Sequence, residues 1–179
     1  MSPISLPPEL IARAQRITLL VLDVDGVLTD GRIVLADYGD ELKFFNIQDG
    51  AALVFWHRLG LKSAIITGRR SRLVARRAKE MRVDAVAQGH VIKQPVYEQL
   101  LKRFRVPDDQ VCAIGDDLME LPILRRAGLA VAVPEAAEEV KRASHYVTRR
   151  SGGRGAVREV VDILLKAKGL WDRVLGWYQ

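Results

Sequence analysis

Cysteine occurs once in the 179 residues, at Cys112, so no disulfide can form within the chain, and a reducing compartment such as the cytoplasm is the expected setting. Its neighbours Val111, Ala113 and Ile114 mark Cys112 as core packing rather than a catalytic thiol. No apolar run approaches the roughly 20 residues that a membrane helix requires, and no membrane partner is expected. The opening residues, Met1-Ser2-Pro3-Ile4-Ser5-Leu6-Pro7-Pro8, carry neither a basic nor an apolar stretch, so no signal peptide is expected. Linkers, internal repeats and low-complexity segments are missing as well. The three histidines, His57, His90 and His145, lack the spacing of a metal site and read as structural. No aromatic residue interleaves with the cations of residues 69–82, which argues against a stacking platform for single-stranded nucleic acid.

What is present is an ordinary globular composition, 49% hydrophobic and 28% charged, in a chain long enough for one domain over residues 1–179. The net charge of +6 suits an anionic small molecule or a nucleic acid. Ile17-Thr18-Leu19-Leu20-Val21-Leu22 is a continuous apolar run ending at Asp23, as a buried parallel strand requires. Similar runs recur at 63–66, 84–87, 111–114 and 129–133, with helical patterns over 49–59, 71–82, 93–105, 117–127 and 135–143. The alternation predicts an α/β fold, a three-layer, Rossmann-like, doubly wound parallel sheet. One insert, at about 31–46, breaks it. Arg32-Ile33-Val34-Leu35-Ala36 and Glu41-Leu42-Lys43-Phe44-Phe45 flank Asp37-Tyr38-Gly39-Asp40 and predict a β-hairpin. A C-terminal helix and an apolar, aromatic tail occupy about 152–179.

In doubly wound folds the chemistry lies beyond the carboxyl ends of the strands. Polar residues stand there in four places: Asp23 and Asp25, Thr67-Gly68-Arg69, Lys93, and Gly115-Asp116-Asp117. Phosphoryl transfer needs those types: a nucleophile, a hydroxyl and a cation for the phosphoryl oxygens, and carboxylates for Mg²⁺. Asp23 would attack phosphorus, and Asp25 would protonate the leaving oxygen and then deprotonate water. Asp116 is the natural further metal ligand. Any one of these segments alone also reads as a turn or a cap; their order along the chain carries the inference.

These four segments resemble the motifs of the haloacid dehalogenase superfamily of phosphatases. The resemblance implies that Asp23, the backbone carbonyl of Asp25 and Asp116 hold Mg²⁺. It also implies that Thr67, Gly68 and Lys93 bind the phosphoryl group, with Asp117 orienting Lys93 or a metal-bound water. Glu120 stands where the fourth motif often has a further acid. Only the hairpin lies between Asp25 and Thr67, and residues 67–93 hold one helix and one strand, so the chain belongs to the pattern without a cap domain. An open site gains from water exclusion, and a neighbouring subunit is the expected cover, in a homotetramer.

Further segments look like the 3-deoxy-D-manno-octulosonate (KDO) 8-phosphate phosphatase family over about residues 15–168. They are Gly39-Asp40-Glu41-Leu42-Lys43, Asn46-Ile47-Gln48-Asp49-Gly50, Gln88-Gly89, and Tyr146-Val147-Thr148-Arg149 with Gly152-Gly153-Arg154-Gly155-Ala156-Val157-Arg158-Glu159. That resemblance implies a phosphatase of lipopolysaccharide precursor synthesis, with sugar contacts at Asn46, Ile47, Gln48, Asp49, Gly50, Arg69, Arg77 and Lys93. It also implies a hairpin that builds the oligomer. Arg77 lies two helical turns beyond Arg69, about 12 Å along the axis, so it would reach such a pocket across subunits. Asp49 has a second reading, as a cap of its own helix, and Gly152-Gly153 as an ordinary loop. Val54 departs from the family, where an arginine is common. A nonulosonate 9-phosphate phosphatase is the alternative, and a phosphatase of nucleic-acid ends a more distant one.

Overall fold

Leu19-Leu20-Val21-Leu22 forms a strand in which every residue is buried, and the molecule is assembled around it. The computed structural model describes residues 6–37 and 41–179. In chain order the elements are α1 (Pro8–Arg16), β1 (Leu19–Leu22), β2 (Val34–Leu35), β3 (Glu41–Leu42), α2 (Ile47–Arg58), β4 (Lys62–Thr67), α3 (Arg72–Glu80), β5 (Ala85–Gln88), α4 (Gln94–Phe104), β6 (Val111–Gly115), α5 (Leu121–Leu124), β7 (Leu129–Ala132), α6 (Glu138–Ala143), β8 (Tyr146–Val147), α7 (Ala156–Ala167) and α8 (Trp171–Leu175). Six strands form one parallel sheet in the order β5-β4-β1-β6-β7-β8. Both faces are covered by helices, as the apolar strands require: α2 and α1 pack on α7, while α4 meets α5 and α5 meets α6. This is the doubly wound architecture expected from the alternation of apolar runs and helical patterns.

Register brings the four segments together. Leu22 pairs with Ile65 on one side and Ile114 on the other, so Asp23, Thr67 and Asp116 emerge at one edge of the sheet. The chain leaves β1 toward β4 and β5, then returns across it to β6 and β7, which makes β1–β6 the switch point where crevices open in such sheets.

Among the described residues, the hairpin strands are shorter than their sequence pattern. Val34 and Leu35 pair with Leu42 and Glu41; the expected turn residues Tyr38, Gly39 and Asp40 lie outside the described residues. The helix expected over 117–127 is a 3-10 turn, Leu118–Glu120, followed by the single turn of α5. Pro122 accounts for that break, because it offers no N–H and fits only a first helical turn. The edge strand β8 was not foreseen. Two residues are too few for a periodicity signal.

Candidate active site

Asp23 follows the last residue of β1 and is held in register by its N–H, which donates to the Ile114 carbonyl at 3.2 Å. Lys93 stands just before α4 and is buried; its Nζ lies 2.6 Å from Asp23 Oδ1 and 2.5 Å from Glu120 Oε1. Glu120 in turn accepts from the N–H groups of Asp117 at 2.9 Å and Asp116 at 3.4 Å through Oε2. One buried carboxylate therefore ties the cation to the backbone that carries Asp116. Asp117 does not touch Lys93 in this arrangement. It caps the 3-10 turn by accepting from Leu118 N–H at 2.8 Å.

The electrostatics show a deficit of positive charge. Burial pushes Asp23 up to about 6 against the pull of Lys93, and Glu120 adds to the rise. Burial likewise pushes Asp116 up to about 7, reinforced by Asp23, Glu120 and Asp117. Burial works against the Lys93 ammonium, but Asp23 and Glu120 outweigh it and hold its pKa above the usual lysine range. Asp23, Asp116 and Glu120 each offer an oxygen within 4.8 Å of the others. Oxygen donors crowded around one lysine fit a hard divalent cation, which would relieve the repulsion that raises both aspartates.

Asp25 lines a cleft of about 300 Å³ with Asp23, Thr67, Gly68, Arg69, Asp116, Asp117 and Glu120. Its carboxylate forms an ion pair with Lys43, which also lies 3.1 Å from Glu41 Oε1. Arg69 reaches over the same cleft, 3.1 Å from Glu41 Oε2 and 4.0 Å from Asp25 Oδ2. Thr67 is buried, and its Oγ1 accepts from Arg69 N–H at 3.3 Å. The sequence marks Lys43 and Glu41 as hairpin residues and as part of the family resemblance, with no role in the site. The available signal was the period-2 alternation of that strand, with Glu41 and Lys43 directed inward while Leu42 and Phe44 are exposed.

None of Asn46, Ile47, Gln48, Asp49, Gly50 or Arg77 lines the cleft of its own chain. Asn46 caps α2, accepting from Gln48 N–H at 2.7 Å. Ile47 is exposed, and Gln48 accepts from Arg150 Nη1 at 3.0 Å. Arg77 lies against Gly50 and donates to the Asn46 carbonyl at 3.3 Å. Asp49 faces away from its own helix: it accepts from Arg158 N–H at 2.7 Å and Gly155 N–H at 3.3 Å, at the start of α7.

Residues 76–160 match the model of the haloacid dehalogenase-like hydrolases. The 3-deoxy-D-manno-octulosonate 8-phosphate phosphatase of Escherichia coli K12 is 42% identical over 168 residues, covering 94% of this chain and 89% of that one. The chain belongs to the 3-deoxy-D-manno-octulosonate 8-phosphate phosphatase family. A crystal structure of the Yersinia pestis family member superposes with a TM-score of 0.92 at 41% identity, covering 93% of this chain and 90% of that one. The Moraxella catarrhalis phosphatase of this family, in complex with magnesium, phosphate and KDO, gives 0.93 at 39% identity, with 96% and 98% covered. Among the described residues no helix is long and apolar enough to cross a membrane.

Proposed function

We propose that the chain is a Mg²⁺-dependent phosphatase that hydrolyses 3-deoxy-D-manno-octulosonate 8-phosphate to the free sugar acid and phosphate, a step of lipopolysaccharide precursor synthesis. The observation that carries the reading is the convergence of Asp23, Asp25, Thr67, Lys93 and Asp116 at one sheet edge, in a chain of that family. Asp23 attacks phosphorus while the bond to the sugar oxygen breaks, and Asp25 delivers its proton to that oxygen. Water then opens the aspartyl-phosphate and returns a proton to Asp25. Lys93, Thr67 and the Gly68 backbone hold the transferring oxygens, and Glu120 keeps Lys93 charged and aimed. Asp23, the Asp25 carbonyl and Asp116 would hold Mg²⁺, which when bound offsets the repulsion between carboxylate and phosphate.

Arg69 at the cleft mouth is the candidate for the sugar carboxylate, in keeping with the preference of guanidinium for such groups. Asn46, Ile47, Gln48, Gly50 and Arg77 would reach substrate only across a subunit boundary. The hairpin leaves Ile33, Leu35, Leu42 and Phe44 exposed, an apolar surface suited to self-association. The reading is of a homotetramer in the cytoplasm, with a neighbour covering the cleft; the exposed hairpin face supports the self-association.

The test is phosphate release from sugar phosphates with Mg²⁺, using Asp23→Asn as control. Preference for the eight-carbon acid over nine-carbon analogues is the expected result. Equal, slow turnover of every sugar phosphate would sink the substrate assignment.

A further inference from the structure

The loop Ser151-Gly152-Gly153-Arg154-Gly155 takes no part in the steps above, yet it lies directly behind the turn that follows Asp25. Gly153 N–H donates to the Val27 carbonyl at 2.9 Å. A Cβ on Gly152 would meet the Gly26 carbonyl oxygen at 1.7 Å, and one on Gly153 would meet the Thr29 carbonyl carbon at 2.4 Å. Backbone rests on backbone here, so a shift of the loop is a shift of Gly26 and of its neighbour Asp25. On the turn's other side, a Cβ on Gly26 would lie 2.0 Å from Asp116 Oδ2. The turn is thus packed between the glycine loop and Asp116.

Asp49 grips the loop from behind. It is 1% exposed; its two oxygens accept from Gly155 N–H, the last residue of the loop, and from Arg158 N–H in the first turn of α7. Its own backbone is fixed in the first turn of α2 by the Asn46 cap, and α2 packs along α7. A carboxylate has two acceptor oxygens to give to two divergent N–H groups, which an amide or an alkyl group cannot match.

We propose that Asp49 is a positioning residue for the reaction: through the glycine loop it sets where the Gly26 turn, and with it the Asp25 carboxyl, stands relative to Asp23. This rests on the phosphatase reading of the cleft. It assigns Asp49 no contact with substrate, in keeping with its place outside the cleft.

The test compares Asp49→Ala and Asp49→Asn with the unaltered Mg²⁺-loaded full chain, on p-nitrophenyl phosphate and on the eight-carbon sugar phosphate. Amide hydrogen exchange of Val27, Leu28, Thr29 and Gly153 is followed in parallel. A misplacement of about 1 Å costs up to roughly 100-fold in rate, so kcat should fall by about 10- to 100-fold with KM within about twofold, and those amides should exchange faster. Asp49→Asn keeps one acceptor, should fall between the other two, and serves if the alanine variant fails to fold. Unaltered kcat with a lowered melting temperature would reduce Asp49 to a helix cap. A raised KM at unaltered kcat would make it a substrate contact. Either result overturns the proposal. An unaltered chain inactive on both substrates would instead sink the phosphatase reading.

Discussion

Lys43 and Lys93 bring one cation each to two of the aspartates of the cleft, Asp25 and Asp23. Lys93 is bound to Asp23 and to Glu120; Lys43, equally buried, belongs to Asp25. General acid–base help of the kind proposed for Asp25 contributes about 10²- to 10⁴-fold. Removing the cation that orients Asp25 should cost part of it, so Lys43→Met is expected to lower kcat by roughly tenfold or more, as steady-state kinetics would show; an unchanged kcat would exclude Lys43 from the site's machinery. Glu120→Ala leaves Lys93 with a single carboxylate and frees two backbone donors. Hydrogen bonds to a charged group contribute about 1.5–3 kcal/mol, and urea denaturation of the Mg²⁺-loaded protein, in which the carboxylate repulsion is relieved, should register a loss of that order; an unchanged stability would remove Glu120 from the support of the backbone that carries Asp116.

Asp49 gives a pH prediction. Burial raises its carboxyl from 3.8 to about 6, against the hydrogen bonds from Arg158 and Gly155 and the charges of Arg150 and Arg158. A raised acid binds its proton more tightly in the folded state. Between about pH 4 and 6 the folded chain therefore holds the extra proton, and stability falls as pH rises. A rise of that size corresponds to roughly 3 kcal/mol. Urea titrations at several pH values should show a shallower decline for Asp49→Asn than for the unaltered chain. Equal slopes would contradict the assignment.

At the scale of elements, the hairpin does two things with one short strand. Its inward residues Glu41 and Lys43 pair with Arg69 and Asp25 of the cleft, and its outward residues Leu42 and Phe44 are left to water. If that outer face joins subunits, Phe44→Asp should shift light scattering to a smaller species; an unchanged mass would rule out the hairpin as the joint. The long elements were legible because their patterns are long: β1, β4, β6 and β7 are apolar runs buried throughout or nearly so. The acidic pair, Thr67, Lys93 and Asp116 were legible because each follows such a run or opens a helix. Lys43 was not, since its partner Asp25 is fixed by how the hairpin folds back, which spacing alone does not state. Asp49 was read as a sugar contact or as a cap of α2. It caps α7 instead, 109 positions away from its Arg158 partner, and only the packing of α2 on α7 could reveal it.

For the molecule as a whole, the parallel sheet followed from the alternation of runs, but its strand order did not. Which side of β1 each strand takes depends on crossovers that carry no residue signature. Burial and the crowding of carboxylates at the switch point raise the pKa of Asp23 and Asp116, so a cation bound there would stabilise the fold. A ligand at 100 times its dissociation constant adds about 2.7 kcal/mol, so Mg²⁺ should raise the melting temperature and a chelator should reverse it; indifference to both would mean that the cluster does not hold the ion.

The far end of the molecule offers an optical handle. Of its three tryptophans, Trp56 is fully enclosed, with its indole N–H donating to the Lys62 carbonyl at 2.8 Å. Trp177 lies 6.2 Å from Phe55 and under the Arg58 guanidinium at 4.1 Å, while Trp171 sits beside Arg158 and Lys166. Two of the three natural fluorophores therefore report the docking of the last residues on α2 and α7, and one reports the core. Emission will fall in two steps if the tail peels away before the sheet opens, and in one if they let go together.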